Sequence, residues 1–287
     1  MCYNNIIKER KMVLLMYNQY ITYLKSKQRS INTIKAYTKD VETCLEYINK
    51  EEKDITLNDL LDWQYSISNS SSSTVARKTA SIKNYFHYLK IVGLIPSDPA
   101  ENLESVKVIN KEKWALGPEQ VRAMVEAANS IRSKAIIMML ANTGMRISEL
   151  IDLTLDQFND NAIIIKGKGG KYRTLFISDE TRELVNEYIK VRESDYPNVF
   201  ISNGGHPMQA KNISIMLKNT AKKAGIEKWE DISNHWLRTA AATMQSEAGQ
   251  PIEVIQKMLG HNSIETTSRY VKIAEKRLQN AMTAQLF

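Results

Sequence analysis

The sharpest chemical pattern in the sequence lies near its C-terminal end. His235 and Arg238 stand in Asn234-His235-Trp236-Leu237-Arg238, His261 follows in Leu259-Gly260-His261, and Tyr270 comes nine residues later. Taken singly, a histidine or tyrosine is most simply a satisfied core residue. Together they say more, because the chain has only 4 histidines and two of them fall here, whereas His87 and His206 have no such company. Three residues apart on a helix, His235 and Arg238 share a face and can address one ligand. The planar guanidinium suits a phosphate. Upstream, Thr143-Gly144-Met145-Arg146-Ile147-Ser148-Glu149-Leu150 puts a second arginine at the opening of a helix, where unsatisfied backbone N–H groups already favour an anion. Two arginines can clamp one phosphate. Glu149 either fixes the Arg146 guanidinium from behind or forms a solvated i,i+3 pair, and spacing alone leaves both open.

Other motif readings are weaker. Gly167-Lys168-Gly169-Gly170-Lys171 is glycine-rich and basic, but a nucleotide-binding loop needs Gly-Lys followed by Ser or Thr, and Tyr172 follows here. A zinc site built on His235 and His261 lacks Cys or acidic partners at ligand spacing. Cys2 and Cys44 form no Cys-x-x-Cys pair, which suits a reducing compartment and two ordinary thiols.

These residues need elements to hold them. From Met12 to Lys90 apolar residues recur at helical spacing, as in Ile34, Tyr37, Val41, Leu45 and Ile48, which predicts about four helices and no strand. Ser30 with Thr33 opens one of them, and Ser68 to Thr74 reads as a loop ending in a cap. Gly93, Pro96 and Pro99 break the pattern, and the charged segment Glu101 to Lys113 is the linker candidate. The expected division is a helical domain over residues 1–105 and a second domain over 106–287. In the second, Pro118 opens a helix, and the apolar run Ala135 to Leu140 leads to a turn at Thr143 and Gly144. Asn161 to Lys166 and Tyr172 to Ile177 read as the two strands of a hairpin with a basic tip. Helices resume at Ser178. Pro251 and Gly260 bracket a short helix, and Ser263 caps the next, which carries Tyr270. The fold class is therefore all-α followed by mixed α/β, mainly helical with a small antiparallel sheet.

Bulk properties agree with two globular domains. At 287 residues, with 43% hydrophobic and 25% charged, the chain can bury a sizeable core, which excludes disorder as its main state. No apolar run approaches the ~18 residues of a membrane span, and no export signal is visible, so a cytoplasmic location is expected. The net charge of +7 permits a polyanionic partner without requiring one.

An arginine in Thr-Gly-Met-Arg-Ile-Ser-Glu-Leu, a lysine in Gly-Lys-Gly, His-x-x-Arg, Leu-Gly-His and a tyrosine nine residues later resemble the tyrosine recombinase (phage integrase) family. The helical first part, with Ser30-Ile31-Asn32-Thr33 and Asp98-Pro99-Ala100-Glu101-Asn102-Leu103, is similar to that family's SAM-like core-binding domain and its exit. The resemblance runs from about residue 13 to about residue 275. It implies a catalytic set of Arg146, Lys168, His235, Arg238, His261 and Tyr270, with Glu149 behind Arg146. Tyr270 would attack a DNA phosphodiester, giving a 3′-phosphotyrosine and a 5′-hydroxyl. Arg146 and Arg238 would neutralise the non-bridging oxygens, and Lys168 would protonate the leaving oxygen, with Lys166 and Lys171 its neighbours. His235 would assist proton removal from Tyr270, and His261 would hydrogen-bond the phosphate. No metal and no cofactor is expected.

The resemblance also implies partners. They are duplex DNA carrying an inverted-repeat core site, held in a two-domain C-shaped clamp, and three further copies of the chain, a homotetramer on two sites that exchanges strands through a Holliday junction. Lys25, Lys27, Arg29, Lys35, Arg77, Lys78 and Lys83 are the DNA-facing candidates, though a solvated charged face explains any one of them equally well. Thr239 stands where many members carry a histidine, and the tail from Val271 to Phe287 lacks the His-Pro-Arg ending often seen in cellular Xer recombinases. The apolar stripe Ile273, Leu278, Met282 and Leu286 is expected to dock in trans on a neighbouring subunit, the alternative being packing on its own domain. There is little room for an extra N-terminal arm-binding domain. The expected role is resolution or integration of a mobile element such as a transposon cointegrate. Xer-like chromosome or plasmid dimer resolution and a DNA-binding protein without catalysis are the alternatives, and in a prokaryote the cytoplasmic protein is expected at the nucleoid.

Overall fold

The computed structural model describes residues 18–108, 115–159, 162–166, 172–261 and 263–284, without the side chains of Asn159, Lys166, Asn234 and residues 276–284. The chain divides into two compact units, Met1–Lys111 and Glu112–Phe287.

The first unit is helical. It comprises α1 (residues 18–26), α2 (Ile31–Ile48), α3 (Leu57–Ser66) and α4 (Ser72–Ile91). Their starts follow from local chemistry. Ser30 caps α2 by accepting from the Thr33 amide, Thr56 and Asp59 form a reciprocal capping box on α3, and Ser71 caps α4 through the Thr74 amide. One apolar stripe of each helix meets the others around Leu24, Ile34, Val41, Leu60, Trp63, Ile82 and Phe86. Cys44 lies in this core, where burial pushes its thiol up to about 12 against a weaker opposing pull from Lys78, so the thiol is a poor nucleophile.

The basic residues of this unit differ in how committed they are. Lys25, Lys27, Arg29 and Lys35 are exposed, and Lys27 lies 5.6 Å from the centre of the Tyr23 ring. Lys83 donates to the carbonyls of Glu101 and Leu103 at 3.1 and 2.8 Å, tying α4 to the segment after it. Arg77 donates to Asp40, a carboxylate only 5% exposed that also accepts from Ser81 at 2.8 Å. Because Arg77 is itself 43% exposed, the pair is asymmetric. Arg77→Met strands a buried carboxylate and is expected to destabilise the chain by about 3 kcal/mol. Asp40→Asn leaves a guanidinium that water can solvate and is expected to cost about 1 kcal/mol. Denaturant unfolding of both variants checks this, and equal losses refute it.

The second unit is built around α6 (Ile131–Thr143), whose Ala135, Ile136, Ile137, Met139, Leu140 and Ala141 are all buried. A helix apolar on every side must be enclosed. It is packed by α5 (Pro118–Ala127), α9 (Asp179–Lys190) and α11 (Asn234–Glu247), with α7 (Ile147–Asp152), α8 (Leu155–Asn159) and α10 (Ala210–Lys223) completing the layer. Two antiparallel strands, β1 (Ala162–Lys166) and β2 (Tyr172–Phe176), pair with Ile163 opposite Leu175 and Ile165 opposite Arg173. The period-2 alternation buries Ile163, Ile165 and Leu175 on one face and leaves Ile164, Tyr172 and Phe176 exposed on the other. α12 (Ile252–Leu259) and α13 (Ile264–Ala284) then lie against α11. Among the described residues no helix is long and apolar enough to cross a membrane.

Candidate active site

Two helix ends and a turn bring the chemistry together. Thr143 closes α6, and Gly144 leaves it at φ +60°, in the left-handed region that favours glycine. A Cβ there would stand 2.9 Å from Cδ2 of Leu259 and 3.3 Å from Cβ of Ala241, so a side chain would also force its neighbours to shift. The chain emerges with Arg146 at the start of α7. Gly260, at φ +63°, ends α12 in the same way and delivers His261 and then α13.

Arg238 sits 4% exposed on the inner side of α11. Its guanidinium donates to the carbonyls of Gly144 and Leu259, the two places where helices terminate, and so links them. Burial, followed by repulsion from Arg146 and Arg173, lowers its pKa to about 10, while Tyr270 and Glu149 oppose the shift. It remains a cation at neutral pH. Arg146 is more open, with its side chain 37% exposed. It donates to Glu149 Oε1 at 3.0 Å and to the Gly260 carbonyl at 3.5 Å, and its backbone N–H reaches Glu149 Oε2 at 2.6 Å. Glu149 is 8% exposed, which decides the question its spacing left open: it is a buried partner of Arg146.

Glu149 has a second partner that the sequence reading did not single out. Arg173, on β2, grips it with both ends of its guanidinium, Nη1 to Oε1 at 2.9 Å and Nη2 to Oε2 at 2.7 Å, and its Nε donates to the Met258 carbonyl at 3.0 Å. Burial raises the Glu149 pKa, but the hydrogen bonds and charge of Arg173 and the backbone and side-chain hydrogen bonds of Arg146 together outweigh it and the net shift is downward. A signal for Arg173 was present in the strand alternation, which puts it on the same face as Leu175. A charge on a buried face needs a partner.

Tyr270 is 1% exposed, in a small cluster with Ala242, Ile255 and Leu259, and Ile273 packs against that cluster. α13 thus packs within its own unit over this stretch; Leu278, Met282 and Leu286 lie outside the described side chains. The His261 ring stacks on Tyr270 with centroids 6.0 Å apart and planes at 21°, and its Nδ1 is 2.9 Å from the Thr267 hydroxyl. Arg269 lies 5.8 Å from the Tyr270 ring centre. His235, exposed at the start of α11, is near enough to be one of the charges acting on His261. Lys168, with Lys171, lies outside the described residues, as does the side chain of Lys166. Among the described residues no group of three His, Cys, Asp or Glu side chains could hold a metal ion.

Burial first, then the cations Arg238, Arg146 and Arg269, push the His261 pKa down from 6.5 to about 4. The imidazole is therefore neutral at pH 7. A folded pKa below the unfolded one means that the unfolded chain binds the extra proton between these values. This contribution to stability is complete above about pH 6.5 and is lost as pH falls towards 4. Discounted for partial exposure, the loss is on the order of 1 kcal/mol. Thermal unfolding from pH 7 to pH 4 should show a steeper fall in wild type than in His261→Gln, and identical slopes refute the assignment.

Comparison with known proteins adds an independent finding. The family model for the phage integrase family matches residues 115–277, and that for the phage integrase N-terminal SAM-like domain matches residues 17–92. The chain is 31% identical over 264 residues to tyrosine recombinase XerC of Roseiflexus sp. (strain RS-1), covering 84% of this chain and 83% of that protein. It is 30% identical over 271 residues to tyrosine recombinase XerD of Halalkalibacterium halodurans, covering 88% and 90%. Among solved structures, XerH site-specific recombinase bound to palindromic difH substrate, a post-cleavage complex, superposes with a TM-score of 0.74 at 21% identity over 92% of this chain and 82% of that one. That last likeness is one of fold.

Proposed function

This chain belongs to the phage integrase family, the tyrosine recombinases, which are DNA strand-transferring enzymes, and on that premise we propose that it cuts and rejoins duplex DNA at a specific site through Tyr270. The observation that carries the reading is the convergence of Arg146, Arg238, His261 and Tyr270 on the turns after α6 and α12. Two cations and a phenol in one place are what in-line attack on a phosphodiester requires.

In this reading the Tyr270 oxygen attacks phosphorus, and its proton passes towards His235. The bond to the 5′-oxygen breaks, leaving a 3′-phosphotyrosine, and Lys168 supplies the proton that makes the 5′-hydroxyl. Arg146 and Arg238 neutralise the charge that grows on the non-bridging oxygens, usually the largest catalytic contribution. Neutral His261 serves as a hydrogen-bond partner to the phosphate. Because the phosphoester is exchanged and not hydrolysed, reversal onto a new 5′-hydroxyl rejoins strands without ATP. Tyr270 is only 1% exposed, so its oxygen has to become accessible before a phosphate can reach it.

The partner in this proposal is a duplex with an inverted-repeat core site, engaged by a helical domain over residues 1–105 and a catalytic domain over 106–287. A homotetramer on two sites would exchange strands through a Holliday junction. The biological role is resolution of a transposon cointegrate or resolution of chromosome or plasmid dimers, with which relatives of Xer type are equally consistent. The test is covalent trapping. Nicked duplexes tiled from DNA flanking the gene are mixed with the protein and quenched in SDS. An adduct whose DNA is joined through its 3′-phosphate, with a free 5′-hydroxyl on the other side, supports the reading and locates the site. Tight binding to one tile with no adduct counts against catalysis and favours a DNA-binding protein.

A further inference from the structure

We infer that Arg173 is a positioning residue that keeps Arg146 charged towards its ligand by taking up the negative charge of Glu149. This rests on the reading of the cluster as a phosphate site. Three guanidiniums and one carboxylate meet here, and their geometry divides the work between them. Arg173 is 9% exposed and spends Nε, Nη1 and Nη2 inward, on the Met258 carbonyl and both oxygens of Glu149. Arg146 is four times as exposed, makes one side-chain bond to Glu149, and reaches only weakly to Gly260.

Electrostatics gives the consequence. A buried carboxylate beside a lone arginine forms a closed ion pair, and an incoming anion must compete with it. A second arginine that grips the same carboxylate leaves the group with a net positive charge while Glu149 still orients Arg146 through its backbone and side-chain bonds. The site also shows that Arg173 has no slack. A Cβ on Gly260 would lie 3.0 Å from Arg173 Cδ and 3.2 Å from Nη1, so the Leu-Gly-His turn is glycine partly because this guanidinium passes beneath it. Lysine, a point charge, cannot make the fork and the Met258 bond together.

The test exploits charge compensation. Arg173→Met, Glu149→Gln and the double variant are compared with wild type in two measurements: titration with inorganic phosphate followed by the His261 imidazole resonances, and the single-turnover rate on a nicked duplex. Arg173→Met is expected to weaken phosphate binding and slow cleavage by about tenfold or more, because Glu149 then pairs with Arg146 alone. The double variant, with no charge on residue 149, should return to within about threefold of Glu149→Gln. A double variant as impaired as Arg173→Met overturns the inference, since loss of a merely structural link is not repaired by removing Glu149's charge. Should Arg173→Met not fold, Arg173→Gln, which also removes the charge but keeps a hydrogen-bonding group, gives the same comparison with and without Glu149→Gln. If no duplex yields an adduct but the phosphate affinities rank as stated, the recombinase reading fails and this inference stands. If the affinities do not rank so, the inference fails whatever the DNA result.

Discussion

Tyr270→Phe is expected to form no SDS-resistant adduct with any duplex that the wild-type protein cleaves, a loss of at least about 10⁴-fold, while binding the same duplex within about threefold. The substitution removes one oxygen and keeps the ring. The ring is what packs against Ala242, Ile255 and Leu259 and stacks on His261, so the cluster beneath α13 should survive. Thermal unfolding should shift by no more than about 3 °C, which separates loss of the nucleophile from loss of the fold. Quantifying the adduct on denaturing gels alongside a binding titration checks both halves. An adduct persisting in Tyr270→Phe would mean that another side chain is the nucleophile.

Arg238→Met is expected to be damaging in two ways that can be measured apart. Losing a preorganised cation beside the reacting phosphate should slow single-turnover cleavage by about 10² to 10³-fold. The same side chain satisfies the carbonyls of Gly144 and Leu259 inside the protein. Methionine leaves both acceptors buried without a donor, at about 1 to 3 kcal/mol each, and the unfolding temperature should drop by several degrees. Arg238→Lys should recover part of the stability and little of the rate, because a single ammonium cannot span two helix ends and still face the ligand. Full recovery of rate by lysine would show that charge alone, without the bidentate geometry, is what the site uses.

Much of the fold was legible locally. Capping at Ser30, Thr56 and Ser71, the proline that opens α5 and the glycines that end α6 and α12 are decided by residues within one turn of each boundary. The hairpin followed from β-branched and aromatic runs on either side of a glycine-rich tip. Arg146, Arg238, His261 and Tyr270 were likewise legible in the sequence, because each stands in a short motif whose residue types and spacing point to phosphate chemistry.

What the sequence by itself determined is the set of elements, the chemistry each can carry, and the family pattern formed by arginine, histidine and tyrosine. Tertiary structure alone decided which groups are spent on one another. Arg146, Arg173, Arg238 and Met258 lie far apart along the chain, and only packing of α7, β2, α11 and α12 makes Arg146 a partly exposed cation and Arg173 a buried counter-ion. Arg77 and Lys83 show the same thing in the helical unit, where one is paired to a buried carboxylate and the other holds two carbonyls. The physical reason is that spacing reports which face of an element a residue occupies, whereas the worth and availability of a charge depend on how much water remains around it and on what opposes it, and both are set by long-range contacts.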